Sequence, residues 1–195
     1  MEDLNRAITL REKAVQSTPE HHPNLSFHLI NLGKSLNSQF NRLGDLEDLN
    51  RAITLQEKAV QSTPEDHPNL AIWLNSFGSS LKARFDRLGK LEDLNRSISV
   101  RGKAVQSAAE DHPDLLSWLN NLGSALSTRF DRLGNLEDLN RAITLREKVI
   151  QSTAEDHSNI AVRLNNLGNS LRTRFNRLGN LEDLNKAINL REKAI

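Results

Sequence analysis

The chain copies itself with a period of 45 residues, and this repeat restricts the fold more than any other feature. Strings that match Asp-Leu-Asn-Arg-Ala-Ile in at least five of the six positions begin at Asp3, Asp48, Asp93, Asp138 and Asp183. Residues 46–90 and 136–180 are identical at 30 of 45 positions, without a gap. A strict period of this length indicates one structural unit stacked on copies of itself.

Each copy is expected to form two helices, which we name A and B. In residues 68–88 the apolar side chains recur at the spacing of one helix face: Leu70, Leu74, Phe77, Leu81, Phe85 and Leu88. Asp66 and Pro68 suit the N-cap and the first turn of helix A, and Gly89 suits a left-handed C-cap. Helix B is predicted from Leu91 to about Ser107. No segment alternates with period two, so strands are not expected.

The order of helices along the chain is predicted to be B followed by four A–B pairs. B helices are expected to begin near Glu2, Leu46, Leu91, Leu136 and Leu181. A helices are expected to begin near Pro23, Pro68, Pro113 and Ser158. We predict one repeat domain, 1–195, with a half repeat at 1–22 and A–B repeats at 23–67, 68–112, 113–157 and 158–195. The last repeat is expected to be truncated, because the chain stops at Ile195 before helix B should end.

A glycine recurs in the middle of every A helix, at Gly33, Gly78, Gly123 and Gly168. Glycine inside a helix costs about 1 kcal/mol relative to alanine. Four copies of this cost predict a helix crossing that is too close for a Cβ atom.

Composition excludes several classes of function. The net charge of +1 argues against a general binder of polyanions. The absence of cysteine from the sequence excludes disulfides, thiolate zinc sites and cysteine nucleophiles. The apolar runs are too short for a membrane helix, and the start shows no signal peptide, so we expect a cytoplasmic protein without membrane contact.

The stretch from Leu119 to Leu126, Leu-Asn-Asn-Leu-Gly-Ser-Ala-Leu, resembles helix A of a tetratricopeptide repeat. The small residues early in helix B agree with that family: Ala7, Ala52, Ala142 and Ala187. Residues 110–122 are similar to the long-repeat variant of kinesin light chains, and residues 129–139 to tandem arrays of basidiomycete fungi. Such arrays often accompany a CHAT peptidase or a nucleotide-binding NLR-type module. The resemblance implies a right-handed α-solenoid of antiparallel hairpins, here with 45 residues per repeat.

The resemblance also implies a ligand groove on the concave side, lined by helix A. The positions that would line it are Asn31, Asn75, Asn120, Asn121, Asn165 and Asn166, with Ser124 and Asn169 one turn later. Asparagine both donates and accepts, so it can pair with an extended peptide backbone. The alternative is that some of these amides only bond neighbouring turns. Ile30 interrupts the row in the first A helix.

An arginine recurs at the end of helix A and is a candidate for anion contacts. The series consists of Arg84, Arg129 and Arg174, with Gln39 in the first copy. A row of guanidinium groups suits carboxylates or phosphates. We favour pairing within the protein, because a Glu-Asp pair follows each copy just as strictly.

Two further repeated residue types are expected to be structural. The Asp-His pairs supply one histidine per loop, so no metal site and no cofactor are predicted: Asp66–His67, Asp111–His112 and Asp156–His157, with His21–His22 in the first copy. Trp73 and Trp118 could anchor a ligand, but we favour packing against the adjacent repeat. No catalytic motif is present, and identical residues at equal spacing do not converge on one active site, so we predict no enzyme.

The sequence therefore predicts a non-catalytic protein–protein interaction scaffold, or the sensor arm of a larger protein, that binds a peptide or protein segment in the groove. The alternative is an array that binds polyanions or nucleic acid through the arginine stripes, and we regard nucleic acid as the less favoured partner. End-to-end association between copies is also expected, because the first and last helices carry apolar residues such as Ile8 and Ile188.

Overall fold

The computed structural model describes residues 2–154 and 158–194. Within these ranges the chain forms helices joined by turns and contains no strand. The helices are α1 (Glu2–Ser17), α2 (Leu25–Leu43), α3 (Leu46–Gln61), α4 (Leu70–Leu88), α5 (Leu91–Ser107), α6 (Leu115–Leu133), α7 (Leu136–Gln151), α8 (Ile160–Leu178) and α9 (Leu181–Glu192). The predicted all-α fold of alternating helices is confirmed: the even-numbered helices are A helices and the odd-numbered ones are B helices. Ile195, where truncation was predicted, lies outside the described residues.

Each A helix begins two residues later than predicted. α4 begins at Leu70 because Pro68 and Asn69 lie in a turn, which the Leu70 N–H closes on the carbonyl oxygen of His67 at 2.9 Å. Asp66 therefore lies before the helix, and the N-cap role predicted for it is wrong. Asn69 is the N-cap residue, although its side chain makes no capping hydrogen bond.

The turn from helix A to helix B is short and depends on a left-handed glycine. The φ angles are 75° at Gly44, 70° at Gly89, 68° at Gly134 and 72° at Gly179. The N–H of Gly89 donates to the carbonyl oxygen of Phe85 at 2.7 Å, so the predicted C-cap is confirmed. Helix B starts two residues later, and the side chain of Asn135 accepts the N–H of Glu137 at 2.9 Å at the start of α7. The glycine turn recurs in all four hairpins, whereas the side-chain cap is missing at α5, where Lys90 takes the place of the asparagine.

The chain divides into two compact units, residues 1–108 and 109–195, which we describe separately. Unit 1 contains α1–α5, and unit 2 contains α6–α9. Both have mainly aliphatic cores, as expected for a chain with few aromatic residues, with single aromatic side chains such as Trp73 and Phe130 among them. The core of unit 2 joins its four helices through Phe130, Leu139, Ile143, Leu167, Leu171 and Ala187. The assignment of one continuous domain stays a prediction.

The glycine in the middle of helix A faces its B helix, but the crossing is not equally close in every repeat. A Cβ atom at Gly78 would lie 2.6 Å from Cγ of Arg101. A Cβ atom at Gly123 would lie 3.5 Å from the carbonyl oxygen of Ala142, which is ordinary contact. A Cβ atom would come closer than 3.0 Å to a neighbouring atom at Gly33 and Gly78, and would make ordinary contacts at Gly123 and Gly168. The prediction of a crossing too close for a Cβ is therefore right for the first two repeats and wrong for the last two.

Candidate functional site

The predicted groove residues of unit 2 share one face of α6 and α8, which we call the A-face. They are Asn120, Asn121, Ser124, Asn165, Asn166 and Asn169. Asn166 Nδ2 donates to Asn120 Oδ1 at 3.4 Å, so the amides of successive A helices meet. Asn165 and Asn169 are exposed, and the other four are half-buried. The A-face of unit 2 is thus a polar strip that solvent can reach.

The A-face of unit 1 carries the two remaining predicted amides. Asn31 lies on α2 and Asn75 on α4, and both are half-buried. The Oδ1 atom of Asn75 is enclosed and accepts no hydrogen bond from any residue of the described ranges. An enclosed carbonyl oxygen without a donor costs free energy, and its enclosure keeps it out of reach of solvent. Ile30, which interrupts the row, is buried in the core with Leu29.

The arginines predicted as anion contacts form ion pairs within the protein. The pairs are Arg84–Asp93, Arg129–Asp138 and Arg174–Asp183. In the first pair Nε of Arg84 donates to Oδ2 of Asp93 at 2.9 Å, and Nη2 donates to Oδ1 at 2.5 Å. The other two pairs use the same atoms. The structure therefore confirms the internal pairing that the sequence analysis favoured, and binding of an external anion stays a prediction.

These ion pairs hold three helices together. Nη1 of Arg84 on α4 donates to Oδ1 of Asn50 on α3 at 3.0 Å, while its other edge holds Asp93 on α5. Arg174 repeats the arrangement in unit 2, with Asn140 at 3.0 Å. The hydrogen bond from Arg174 holds the pKa of Asp183 below its usual value. The same bonds raise the pKa of the arginines further above neutrality.

The first repeat lacks this ion pair because Gln39 replaces the arginine. Asp48 occupies the position that Asp93 and Asp183 hold in later repeats. Burial raises the pKa of Asp48, and the negative charge of Asp45 raises it further. In the first hairpin this carboxyl group therefore loses its proton at a higher pH than an unperturbed aspartate does.

The loop histidines cap the A helices. Nδ1 of His67 accepts the N–H of Asn69 at 3.1 Å, and its ring stacks on Trp73 with centroids 4.8 Å apart. His112 repeats both contacts, with Trp118 at 4.5 Å. In the parts of the chain that the structure describes, no three His, Cys, Asp or Glu side chains could hold a metal together. The predicted pair Asp156–His157 lies outside the described residues.

Trp73 is a core residue. It is 5% exposed and packs with Leu25 and Leu29 of α2 and with Ala59 of α3, so packing against the adjacent repeat is confirmed for this tryptophan. Trp118 is buried to the same degree, with 4% of its surface exposed. Trp73 also contributes to the lining of a surface cavity formed by the loops that follow α1 and α3.

The sequence analysis missed a polar position on the buried side of the B helices, opposite the A-helix glycine. In unit 1, Gln56 Nε2 donates to Ser76 Oγ at 3.2 Å, and Arg101 Nη2 donates to Ser79 Oγ at 3.3 Å. Burial lowers the pKa of Arg101 to about 10. The signal was present as a polar residue every 45 positions on an otherwise apolar face: Arg11, Gln56, Arg101, Arg146 and Arg191.

The same position in unit 2 reaches the A-face. Arg146 is buried, and its Nη1 donates to Ser127 Oγ at 3.0 Å and to Ser170 Oγ. Arg191 is exposed, and its Nη2 donates to Oδ1 of Asn169 at 2.8 Å. Burial lowers the pKa of Arg146. Unit 2 thus places two guanidinium groups in contact with polar residues of α6 and α8.

None of the described helices combines the length and the apolar character that crossing a membrane requires.

Comparison with known proteins shows which helical-repeat fold the chain is similar to. Residues 115–159 match the family model of the tetratricopeptide repeat. None of the curated proteins matches the chain.

Several solved structures share the architecture. The structure of the nearly identical TPR-like repeats of a putative kinesin light chain from Podosopora anserina is 14% identical in sequence to this chain, with a TM-score of 0.68, and the match covers 97% of this chain and 88% of that chain. MamA is 18% identical with a TM-score of 0.67, and the match covers 99% of this chain and 87% of the MamA chain. YrrB, a TPR protein with an unusual peptide-binding site, is 18% identical with a TM-score of 0.64, and the match covers 99% of this chain and 82% of the YrrB chain. At these identities the likeness shows the helical-repeat fold.

Proposed function

We propose that the chain is a non-catalytic interaction scaffold of the tetratricopeptide type, which binds a peptide or protein segment on its A-face. The match to the repeat family covers residues 115–159, and the other repeats are close copies of that segment. The structural likeness to YrrB, whose described feature is a peptide-binding site, supports the same class of function.

The observation that carries the proposal is the strip of amides on the A-face. Asn166 reaches Asn120 at 3.4 Å, while Asn165 and Asn169 remain exposed beside them. Each amide offers two donor hydrogens and one acceptor oxygen, which is the pattern that an unpaired peptide backbone requires. The strip therefore suits an extended segment, whose N–H and C=O groups alternate along its length.

The experiment starts from a peptide selected on the immobilised protein from a random displayed library. Its affinity is then measured by fluorescence anisotropy for the unsubstituted chain and for Asn165→Ala. We expect binding to weaken by roughly threefold to tenfold, which is the effect of losing one hydrogen bond of about 0.5–1.5 kcal/mol. Because Asn165 is exposed, the melting temperature should stay within about one degree of the parent.

Asn185→Ala is the matched control, since Asn185 is an exposed asparagine on helix B of the last repeat. It should change neither affinity nor melting temperature. Equal affinities for Asn165→Ala and Asn185→Ala would contradict the proposal. A lower melting temperature for Asn165→Ala would show instead that the amide is structural.

The proposal also covers where the protein is located, what kind of larger protein it belongs to and which other ligand it could bind. We place the array in the cytoplasm, as part of a larger protein of the kinesin-light-chain-like and fungal CHAT or NLR type. Binding of polyanions or nucleic acid is the less favoured alternative, because Arg84, Arg129 and Arg174 would have to release their aspartates. The salt dependence of binding separates these alternatives, since a phosphate binder weakens steeply as salt rises.

Association between copies is a second proposal, and it rests on the exposed side of α9. Ile188 is 47% exposed, whereas Ile53 and Ile143 at the same repeat position are 3% and 2% exposed. In the inner repeats this apolar position of helix B is buried, so the exposed apolar side chain on α9 suits contact with a second copy of the chain. Light scattering over a wide concentration range should show a rising mass that Ile188→Glu abolishes, and a constant monomer mass for the unsubstituted chain would refute it.

A further inference from the structure

We propose that the cavity formed in unit 1 by the loops that follow α1 and α3 binds an organic phosphate monoester. The cavity has a volume of about 530 Å³, which is within the range of pockets that hold small molecules. None of the A-face amides lines this cavity, so the site is separate from the proposed binding of a peptide or protein segment. It would remain if that proposal failed.

The start of α2 supplies one polar part of the cavity. Leu25 and Ser26, the first two residues of this 19-residue helix, both line it. The helix dipole favours a negative charge at this end, and the first turn contains no acidic residue that would supply one. Only 9% of Ser26 is exposed, and its hydroxyl group makes no hydrogen bond with any described residue. A buried hydroxyl group without a partner costs free energy, which a phosphate oxygen would recover.

Two loop histidines add donors. Nδ1 of His22 accepts the N–H of Asn24, and Nδ1 of His67 accepts the N–H of Asn69, both at 3.1 Å. A neutral imidazole whose Nδ1 accepts a hydrogen bond carries its proton on Nε2. Both rings line the cavity, and no described hydrogen bond uses either Nε2 atom. The caps therefore leave two N–H donors for the oxygens of a phosphate group.

Lys58 supplies the positive charge of the cavity. Its Nζ lies 3.3 Å from Oε1 of Glu20, whose carboxylate also lines the cavity. The two side chains are 52% and 73% exposed, and an exposed ion pair of this kind contributes little to stability. Glu20 can therefore turn into solvent when an anion binds, which leaves Lys58 to the ligand.

The first repeat departs from the second at two positions that line this cavity. Ser26 stands where the second repeat has Ala71, and His21 stands where it has Asp66. Ala71 is buried on α4 without a hydroxyl group, so the helix does not need one at this position. The change from aspartate to histidine removes a negative charge beside the cavity. Both departures favour an anion, and the second hairpin forms without either of them.

The lining also includes apolar side chains, among them Pro23, Pro64 and Trp73. An inorganic phosphate ion cannot cover these surfaces, whereas the carbon part of an ester can. The mixed lining therefore favours an ester with an apolar organic group over the free ion.

The test follows the ring signals of the histidines by NMR, in protein carrying ¹⁵N-labelled histidine. His22→Gln and His67→Gln assign the two signals by their loss. The probes are phenyl phosphate, N-acetylphosphoserine N-methylamide and inorganic phosphate, and benzyl alcohol is the uncharged control. His112 is the internal control, because it makes the same cap and the same contact with a tryptophan but does not line the cavity.

We expect saturable shifts of the His22 and His67 signals with phenyl phosphate, weaker binding of inorganic phosphate and no shift of the His112 signal. Ser26→Ala should weaken binding roughly threefold to tenfold through loss of one hydrogen bond. His21→Asp should weaken it about tenfold or more through charge repulsion. Both variants introduce the residue that the second repeat carries, so the melting temperature should stay near that of the parent. Ser38→Ala, an exposed serine of α2 outside the cavity, is the matched control and should not change the affinity.

The two esters identify the source of the phosphate group. Tighter binding of the phosphoserine probe indicates a phosphorylated side chain, and tighter binding of phenyl phosphate indicates a small-molecule ester. The site is overturned if neither ester causes a saturable shift, if benzyl alcohol causes the same shift, or if inorganic phosphate binds as tightly as both esters. Unchanged affinity in both Ser26→Ala and His21→Asp would overturn it as well.

Discussion

Replacing the mid-helix glycine by alanine should have opposite effects in two repeats that are otherwise close copies. At Gly78 the new methyl carbon would lie 2.6 Å from Cγ of Arg101 and 3.2 Å from Cγ2 of Val100. At Gly123 its nearest neighbours would be the carbonyl oxygen of Ala142 at 3.5 Å and Cγ of Arg146 at 3.6 Å. Only the first substitution forces buried side chains to move.

The magnitude follows from two opposing terms. Alanine gains about 1 kcal/mol over glycine inside a helix, and this gain applies equally at both positions. Overpacking a buried site costs about 1–3 kcal/mol, and it applies at Gly78 alone. We therefore expect Gly123→Ala to stabilise its hairpin by up to about 1 kcal/mol. Gly78→Ala should be neutral or destabilising by up to about 2 kcal/mol, which is the overpacking cost less the helix gain.

Native-state amide hydrogen exchange is the suitable assay, because a repeat array need not unfold in one step. Protection factors in α4 and α5 report on Gly78→Ala, and those in α6 and α7 report on Gly123→Ala. The reasoning fails if both variants shift protection by the same amount and in the same direction.

Four further outcomes follow from the aspartates of helix B, their ion pairs and the loop caps. Arg84→Ala should lower the free energy of unfolding in urea by about 3–5 kcal/mol, because it leaves the buried carboxylate of Asp93 without a partner; a loss below about 1 kcal/mol would mean that the pair is not needed. Asp183 should titrate below its usual pKa in carboxyl NMR, so its stabilising contribution is present above the unfolded pKa and disappears as pH falls through the folded pKa. Asp48 should titrate above its usual pKa, so its contribution to folding stability is present below the unfolded pKa and disappears as pH rises through the folded pKa. Shifts of the two pKa values in the same direction would contradict this reasoning. His67→Ala should lower the free energy of unfolding by about 1 kcal/mol through loss of the cap. It should also make tryptophan fluorescence easier to quench by solutes, because the imidazole ring no longer covers Trp73, and unchanged quenching would count against the stacked arrangement.

The features that the sequence predicted are those set by local chemistry. The apolar spacing of residues 70–88 determines a helix, and a glycine that follows it, such as Gly89, permits the left-handed turn, so both were predicted correctly. The start of helix A was predicted two residues early because the cap comes from His67, whose ring is positioned by Trp73 in the folded protein. A proline-based rule cannot include that tertiary contact.

The site was predictable only in part. The amide strip follows from the repeat and the helix face, whereas the choice between internal and external partners for Arg84 depends on how deeply Asp93 is buried. Arg146 was missed because an arginine on an amphipathic helix is normally assigned to solvent. Its stem packs against Gly123, where a Cβ atom would lie 3.6 Å from Cγ of Arg146, and no periodicity of helix B reveals this contact.

The contacts of the buried aspartates have a consequence for how such a gene can change length. Each arginine finds its aspartate nine residues later and its asparagine 34 residues earlier, as Arg84 and Arg174 show. A deletion or duplication of 45 residues between two arginine-bearing copies leaves both offsets intact, whichever codons mark the breakpoint. Unequal crossing-over can therefore add or remove repeats without leaving a buried carboxylate unpaired.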